Sequence, residues 1–141
     1  MRESRTRWGD GGGGTDAERA SYLAVLRSVF TRQPALAVEL NGSTDDVGWW
    51  GMAWERAYAF TGDTRYLRRS ELCFAHMAKS WDGVCGGGLW WSSQKTYKNA
   101  ITNELFLALG GRLYAATSNS TYLDWARRTW QWFDQSGMIN D

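Results

Sequence analysis

Residues 47–60 carry Val47, Trp49, Trp50, Met52, Ala53, Trp54, Ala57, Tyr58 and Phe60, with Glu55 and Arg56 as the only charges. A helix of this composition has no broad face to give to water, so other elements have to surround it. Two adjacent carboxylates, Asp45 and Asp46, stand at its head. Taken alone the pair has a plain structural reading, because Ser43 or Thr44 can cap the helix and acids in a first turn suit its dipole. The rest of the chain bears on whether that reading is enough.

Periodicity predicts five helices. The first runs from about Asp16 to Thr31, with Tyr22, Val25, Leu26, Val29 and Phe30 as its apolar stripe, and Pro34 lies just beyond its end. The second spans Asp45 to Thr61, with Gly62 placed for a C-terminal cap. Asp63 can cap the third, Thr64 to Lys79, whose stripe is Tyr66, Leu67, Ser70, Phe74, Met77 and Ala78. The fourth, about Tyr97 to Thr117, is expected to bury nearly everything around Leu105, Phe106, Leu107, Ala108, Leu109 and Leu113. The fifth, Ser120 to Ser136, returns to one apolar face of Tyr122, Ala126, Trp130 and Phe133, and Gly137 can stop it. Between the third and fourth lies a loop, Ser80 to Lys95, with Gly86-Gly87-Gly88 followed by Leu89-Trp90-Trp91. Its glycines suit a tight turn, a short hairpin or a ligand. Residues 1–14, which end in four glycines, read as a disordered lead to a domain over 15–141.

Helices with one wet face alternate with helices that have none, as in an outer layer wrapped around an inner one. An internal repeat supports this: Tyr58, Thr61, Asp63, Tyr66 and Leu67 recur at one fixed offset as Tyr114, Thr117, Asn119, Tyr122 and Leu123. The second and fourth helices are then equivalent inner helices, and their polar heads emerge on one rim. That brings Lys98, Asn99 and Asn103 toward Asp45 and Asp46, with Trp49, Trp50, Trp90 and Trp91 on the same side. Trp125, Trp130 and Trp132 on the fifth helix read as packing residues.

Composition excludes several classes. Sixteen basic against fifteen acidic residues leave a net charge of +1 and no basic stripe for a nucleic acid. A single proline, no β-branched runs and ten tryptophans favour helices with more aromatic surface than a core this size needs. Cys73 and Cys85 match no metal spacing, a disulfide between them stays open, and His76 reads as a surface or boundary residue. No acidic metal cage is visible, and no metal or cofactor is expected. No apolar run is long enough to span a bilayer, and Met1 to Arg7 leads into glycines, with no secretory signal in view.

Several motifs in order resemble glycoside hydrolase family 76: Asp45-Asp46 with Gly48-Trp49-Trp50 and Ala53-Trp54, then Thr61-Gly62-Asp63 and Tyr66-Leu67, Trp81-Asp82, Cys85-Gly86-Gly87-Gly88-Leu89-Trp90-Trp91, and Tyr97-Lys98-Asn99-Ala100-Ile101-Thr102-Asn103. The resemblance implies an all-α, (α/α)6 toroid of helical hairpins and an α-1,6-mannanase of the retaining kind. Matched position by position, Asp45 would be the nucleophile and Asp46 the general acid/base. Trp49, Trp50, Trp90, Trp91, Lys98, Asn99 and Asn103 are the candidate substrate contacts. A retaining pair needs carboxyl groups roughly 5–5.5 Å apart, within reach of neighbours at a helix head. A mannan or mannooligosaccharide is the implied partner, and the family works outside the cell or at its wall.

Five helices supply only part of such a ring, so the chain is expected to be a piece of an enzyme whose exposed inner helices favour self-association. Two other functions fit the same residues. One is a wall transglycosidase, in which a sugar hydroxyl replaces water. The other is a noncatalytic helical-repeat fragment that binds glycan or protein.

Overall fold

The computed structural model describes residues 14–33 and 42–139, so Pro34 and nearly all of the glycine-rich lead lie outside the described residues. The helices are α1 (Asp16–Arg32), α2 (Thr44–Thr61), α3 (Thr64–Ala78), α4 (Ala100–Thr117) and α5 (Ser120–Gln135). The chain divides into two units, at residues 1–33 and 34–141.

In the first unit, α1 is started by a reciprocal cap: the Glu18 N–H donates to the Thr15 hydroxyl at 3.3 Å and the Thr15 N–H donates to the Glu18 carboxylate at 2.7 Å. None of its residues is buried, and Tyr22 on the expected stripe is 68% exposed.

The second unit consists of two helical hairpins, and the sequence repeat is visible atom by atom in their corners. The Thr61 hydroxyl donates to the Ala57 carbonyl and accepts from the Asp63 N–H, while the Thr117 hydroxyl does the same with Leu113 and Asn119. Gly62 and Ser118 take the left-handed cap positions at φ 72° and 58°. Asp63 and Asn119 then cap α3 and α5 by accepting from the N–H groups of Arg65 and Thr121. Each such cap is worth about 1 kcal/mol.

The core lies where α2 and α4 meet the outer helices. Val47, Phe74, Met77, Leu89, Phe106, Leu109 and Leu113 are buried, and Phe74 stacks on Phe106 at 4.4 Å. Burial of a side chain of this size contributes about 1.5–3 kcal/mol. Glycine makes the approach of the inner helices possible. A Cβ on Gly51 would stand 2.5 Å from Leu109 Cδ2 and 3.1 Å from Cys73 Cβ. The carbonyl of Gly51 accepts a 2.8 Å bond from the buried Ser70 hydroxyl. Cys73 and Cys85 are both free, the first buried and the second exposed, and burial pushes the Cys73 thiol up to about 11.

Three expectations change. The fourth helix starts at Ala100, not at Tyr97, because Asn99 is extended (φ −122°, ψ 167°) and its side chain caps the Thr102 N–H. On α5 the inward face includes Thr129 and Trp132, whereas Trp130 is 51% exposed. Steps of three and four from Tyr122 pass through Trp125, Ala126, Thr129, Trp132 and Phe133, so Tyr122, Ala126 and Phe133 keep the expected face and Thr129 takes the place expected for Trp130. Finally, α4 does not bury nearly everything: Ile101, Ala108 and Gly111 are exposed, and so are Trp49, Ala53, Arg56 and Phe60 on α2, in line with the exposed inner helices expected of a partial ring. The outer helices and the mutual contact of α2 and α4 cover only part of each cylinder. No described helix is long and apolar enough to cross a membrane.

The two kinds of helical glycine should respond oppositely to alanine. Gly51→Ala is expected to lower stability by about 1–3 kcal/mol through overpacking. Gly111→Ala, where an added Cβ meets nothing within 4 Å, should raise it by about 0.5–1 kcal/mol. Urea midpoints of the two variants measure both.

Candidate active site

The head of α2 is fastened to the loop that precedes α4. The Thr44 N–H donates to the Trp91 carbonyl at 2.7 Å, and Ser43 and Ser92 form an isolated antiparallel bridge. Ser43, the cap residue by position, makes no side-chain capping bond. Asp45 does not turn back to its own helix: Oδ2 accepts the Trp91 indole N–H at 3.1 Å, and Oδ1 accepts the Thr102 hydroxyl of α4. An ionised carboxylate accepts at both oxygens in this way. Asp46 follows, half-buried like Asp45.

The loop itself is organised by Asp82. Its carboxylate accepts from Lys98 Nζ at 2.8 Å, from the Trp90 indole N–H at 2.6 Å and from Lys95 at 3.3 Å. Lys98 also donates to the carbonyls of Val84 and Gly87, each at 2.7 Å, and sits 4.8 Å from the centre of the Trp90 ring. These bonds, above all those from Lys98 and then Trp90, hold the Asp82 carboxyl well below the usual carboxylate range. The glycines form a tight turn packed against Trp132. Gly87 and Gly88, at φ 143° and 82°, lie so close under the Trp132 ring that a Cβ on Gly88 would stand 2.4 Å from it. The Trp132 indole donates to the Cys85 carbonyl at 2.9 Å. A groove of about 430 Å³ beside this turn is lined by Trp81, Cys85, Arg128 and Trp132 and does not include the acids.

The predicted site residues therefore divide. Asp45 and Trp91 are in direct contact, Asp46 is adjacent, and Trp49 follows on the same helix, 58% exposed. The others have structural partners. Lys98 was expected beside the acid pair; its side chain is only 3% exposed, and its ammonium contacts are with Asp82 and the glycine turn. Asn99 caps α4, and Asn103 is buried between the backbone of Leu89 and the Asn99 carbonyl. Trp50 stacks on Trp54, which stacks on Tyr66, and Trp90 lies against Lys98. Thr102 was missed, although the offset that carries Tyr58 onto Tyr114 also carries Asp46 onto Thr102. The role of Asp82 had no signal beyond its place after Trp81. Among the described residues, no three His, Cys, Asp or Glu side chains are grouped so as to hold a metal ion.

Comparison with known proteins adds to this geometry. The sequence model of glycosyl hydrolase family 76 matches residues 29–141. The mannan endo-1,6-alpha-mannosidase DCW1 of Candida glabrata is 35% identical over 120 residues, which cover 74% of this chain and 27% of that protein. Among solved structures, an inactive variant of the alpha-1,6-mannanase GH76A of Salegentibacter sp. HEL1_6, with two neighbouring aspartates replaced by alanine, was determined with alpha-1,6-mannotetrose. It superposes with a TM-score of 0.73 at 24% identity, over 82% of this chain and 35% of that one. Dfg5 of Chaetomium thermophilum, solved with glucosamine, gives a TM-score of 0.63 at 32% identity, over 70% of this chain and 27% of that one. The fold is thus the expected part of an (α/α)6 toroid, and the chain spans about a quarter of the length of the curated relatives it matches.

The Asp82 cluster should show in the acid limb of stability. A carboxyl depressed in the folded state stays ionised where the unfolded chain takes up a proton, so its contribution is full above the ordinary value and fades as pH falls. Asp82→Asn is expected to destabilise the chain at neutral pH, and the gap to wild type should narrow from about pH 5 toward about pH 2. Urea titrations across that range measure it; a constant gap would remove Asp82 from the acid response.

Proposed function

The chain belongs to glycosyl hydrolase family 76, and on that footing we propose that it carries the catalytic carboxylates of a retaining glycoside hydrolase that cleaves α-1,6-mannan. Asp45 attacks the anomeric carbon, and Asp46 gives its proton to the departing glycosidic oxygen, leaving a sugar esterified to Asp45. Asp46, now ionised, takes a proton from water, and that water releases the sugar with its original configuration.

The observation that carries the reading is the state of Asp45. A carboxylate kept only for capping would face the N–H groups of its own first turn, whereas both oxygens of Asp45 are engaged by Trp91 and Thr102. Exposed Trp49, one turn further along α2, supplies an apolar ring against which a sugar's C–H face can lie. The names of the relatives and the mannotetrose-bound Salegentibacter enzyme are in keeping with this substrate class. A wall mannan is met outside the cell, and the proposal carries that location with it. The open faces of α2 and α4, with Phe60 and Ile101 exposed, also suit self-association of this chain; a purely monomeric sedimentation profile would oppose that part.

Incubation of the chain with linear α-1,6-mannotetraose should yield shorter oligosaccharides. Asp45→Asn and Asp46→Asn should each reduce turnover roughly a thousandfold or more and leave the circular dichroism spectrum unchanged. Azide separates the two roles. With an activated aryl mannoside, Asp45→Gly should form the β-mannosyl azide and Asp46→Gly the α-mannosyl azide. Unfolding by either asparagine variant, or no cleavage by the folded wild-type chain, would count against the assignment.

A further inference from the structure

We infer that Thr102 and Trp91 are a pair of positioning residues that lock the Asp45 carboxylate, one oxygen each, from two separate elements of the second hairpin and its leading loop. The inference rests on the reading of Asp45 as nucleophile and goes beyond it by assigning the groups that fix its orientation.

A carboxylate on a short side chain is free to swing about its terminal bond, and one donor restrains a single oxygen. Two donors on opposite oxygens remove that freedom, and each oxygen keeps a further lone pair for reaction. Both donors are themselves held. Trp91 donates its backbone N–H to the Tyr97 carbonyl at 3.1 Å, accepts at its carbonyl from Thr44, and stacks on the Tyr97 ring at 5.2 Å. Its indole therefore has one direction in which to point. Thr102 is wholly buried, and Asn99 already satisfies its backbone N–H.

Thr102 also departs from its neighbours in kind. Within the helices, Thr61, Thr117 and Thr129 return their hydroxyl hydrogen to the carbonyl four residues back. Thr102 sends its own across the gap between α4 and α2 to Asp45.

Loss of either donor leaves Asp45 in place but able to rotate away from the line of attack. Misplacement on that scale costs about a hundredfold in rate, and for Thr102 it falls on kcat, since its wholly buried side chain is out of reach of the sugar.

Valine and serine separate positioning from packing. Thr102→Val keeps the shape and removes the donor, while Thr102→Ser keeps the donor and removes a methyl group. Positioning predicts a kcat about 10- to 100-fold lower for Thr102→Val at nearly unchanged KM, with Thr102→Ser close to wild type. Simple packing predicts the reverse order. A second readout does not depend on turnover: the Trp91 indole N–H resonance of the full ¹⁵N-labelled chain. It should move by more than its line width in Asp45→Asn and in Thr102→Val, and stay in place in Thr102→Ser. Full activity of Thr102→Val, or an indole resonance indifferent to both Asp45→Asn and Thr102→Val in folded protein, would overturn the inference. If wild type is inactive but the resonance couples as described, the hydrolase reading fails and the lock on Asp45 stands.

Discussion

The near-contact of two inner helices at glycine governs what the rest of this chain can do. Because Gly51 carries no side chain, Leu109 of α4 enters the space where a Cβ would stand, and the helices settle in one register. Polar pairs mark that register at both ends. Toward the rim, Thr102 meets Asp45; further along, Arg112 meets the largely buried carboxylate of Glu55 at 3.1 Å. A slip of α4 by one residue would turn Leu109 away from its recess and break both pairs together, since side chains along a helix rotate by about 100° per residue. Packing thus decides which hydroxyl reaches the acid.

The second requirement is a rigid loop, and the sequence there is poorly suited to rigidity. Gly86, Gly87 and Gly88 all adopt positive φ and bring a large entropic cost of ordering. Lys98 offsets it by acting as an internal cation. Its ammonium, nearly sealed from water, is met by a carboxylate, several carbonyls and an indole face. A charge so enclosed is tolerable only when all its donors are satisfied, so the loop has little choice of conformation once Lys98 is inside. Trp132 closes the other side, in close contact with the glycines. What leaves this clamp is Leu89-Trp90-Trp91, and the last of these reaches Asp45.

The hairpins, their corners and the acid pair were legible because each is written in local spacing or in the repeat. Thr61-Gly62-Asp63 and Thr117-Ser118-Asn119 predict matching caps, and the structure repeats them bond for bond. Features that depend on contacts across the chain were not legible. Nothing near Lys98 in sequence shows that its partners lie in the glycine turn. On α5 an aromatic residue falls at nearly every possible stripe position, so Trp130 and Trp132 could not be told apart by hydrophobicity. Thr102 was hidden for another reason: a hydroxyl at a helix head is common, and only the register between α2 and α4 gives it a target.

Two demands on a nucleophile conflict, since it has to be held firmly and also left open to a substrate. Under the proposed role of Asp45 they fall to different elements. The groups that hold Asp45 belong to α4 and to the fastened loop, and both are anchored by buried or stacked neighbours. The open side belongs to α2 itself, where Trp49 and then Ala53 are exposed beyond the acids. Under the proposed function, the groups that fix Asp45 and the face left for a substrate therefore come from different elements.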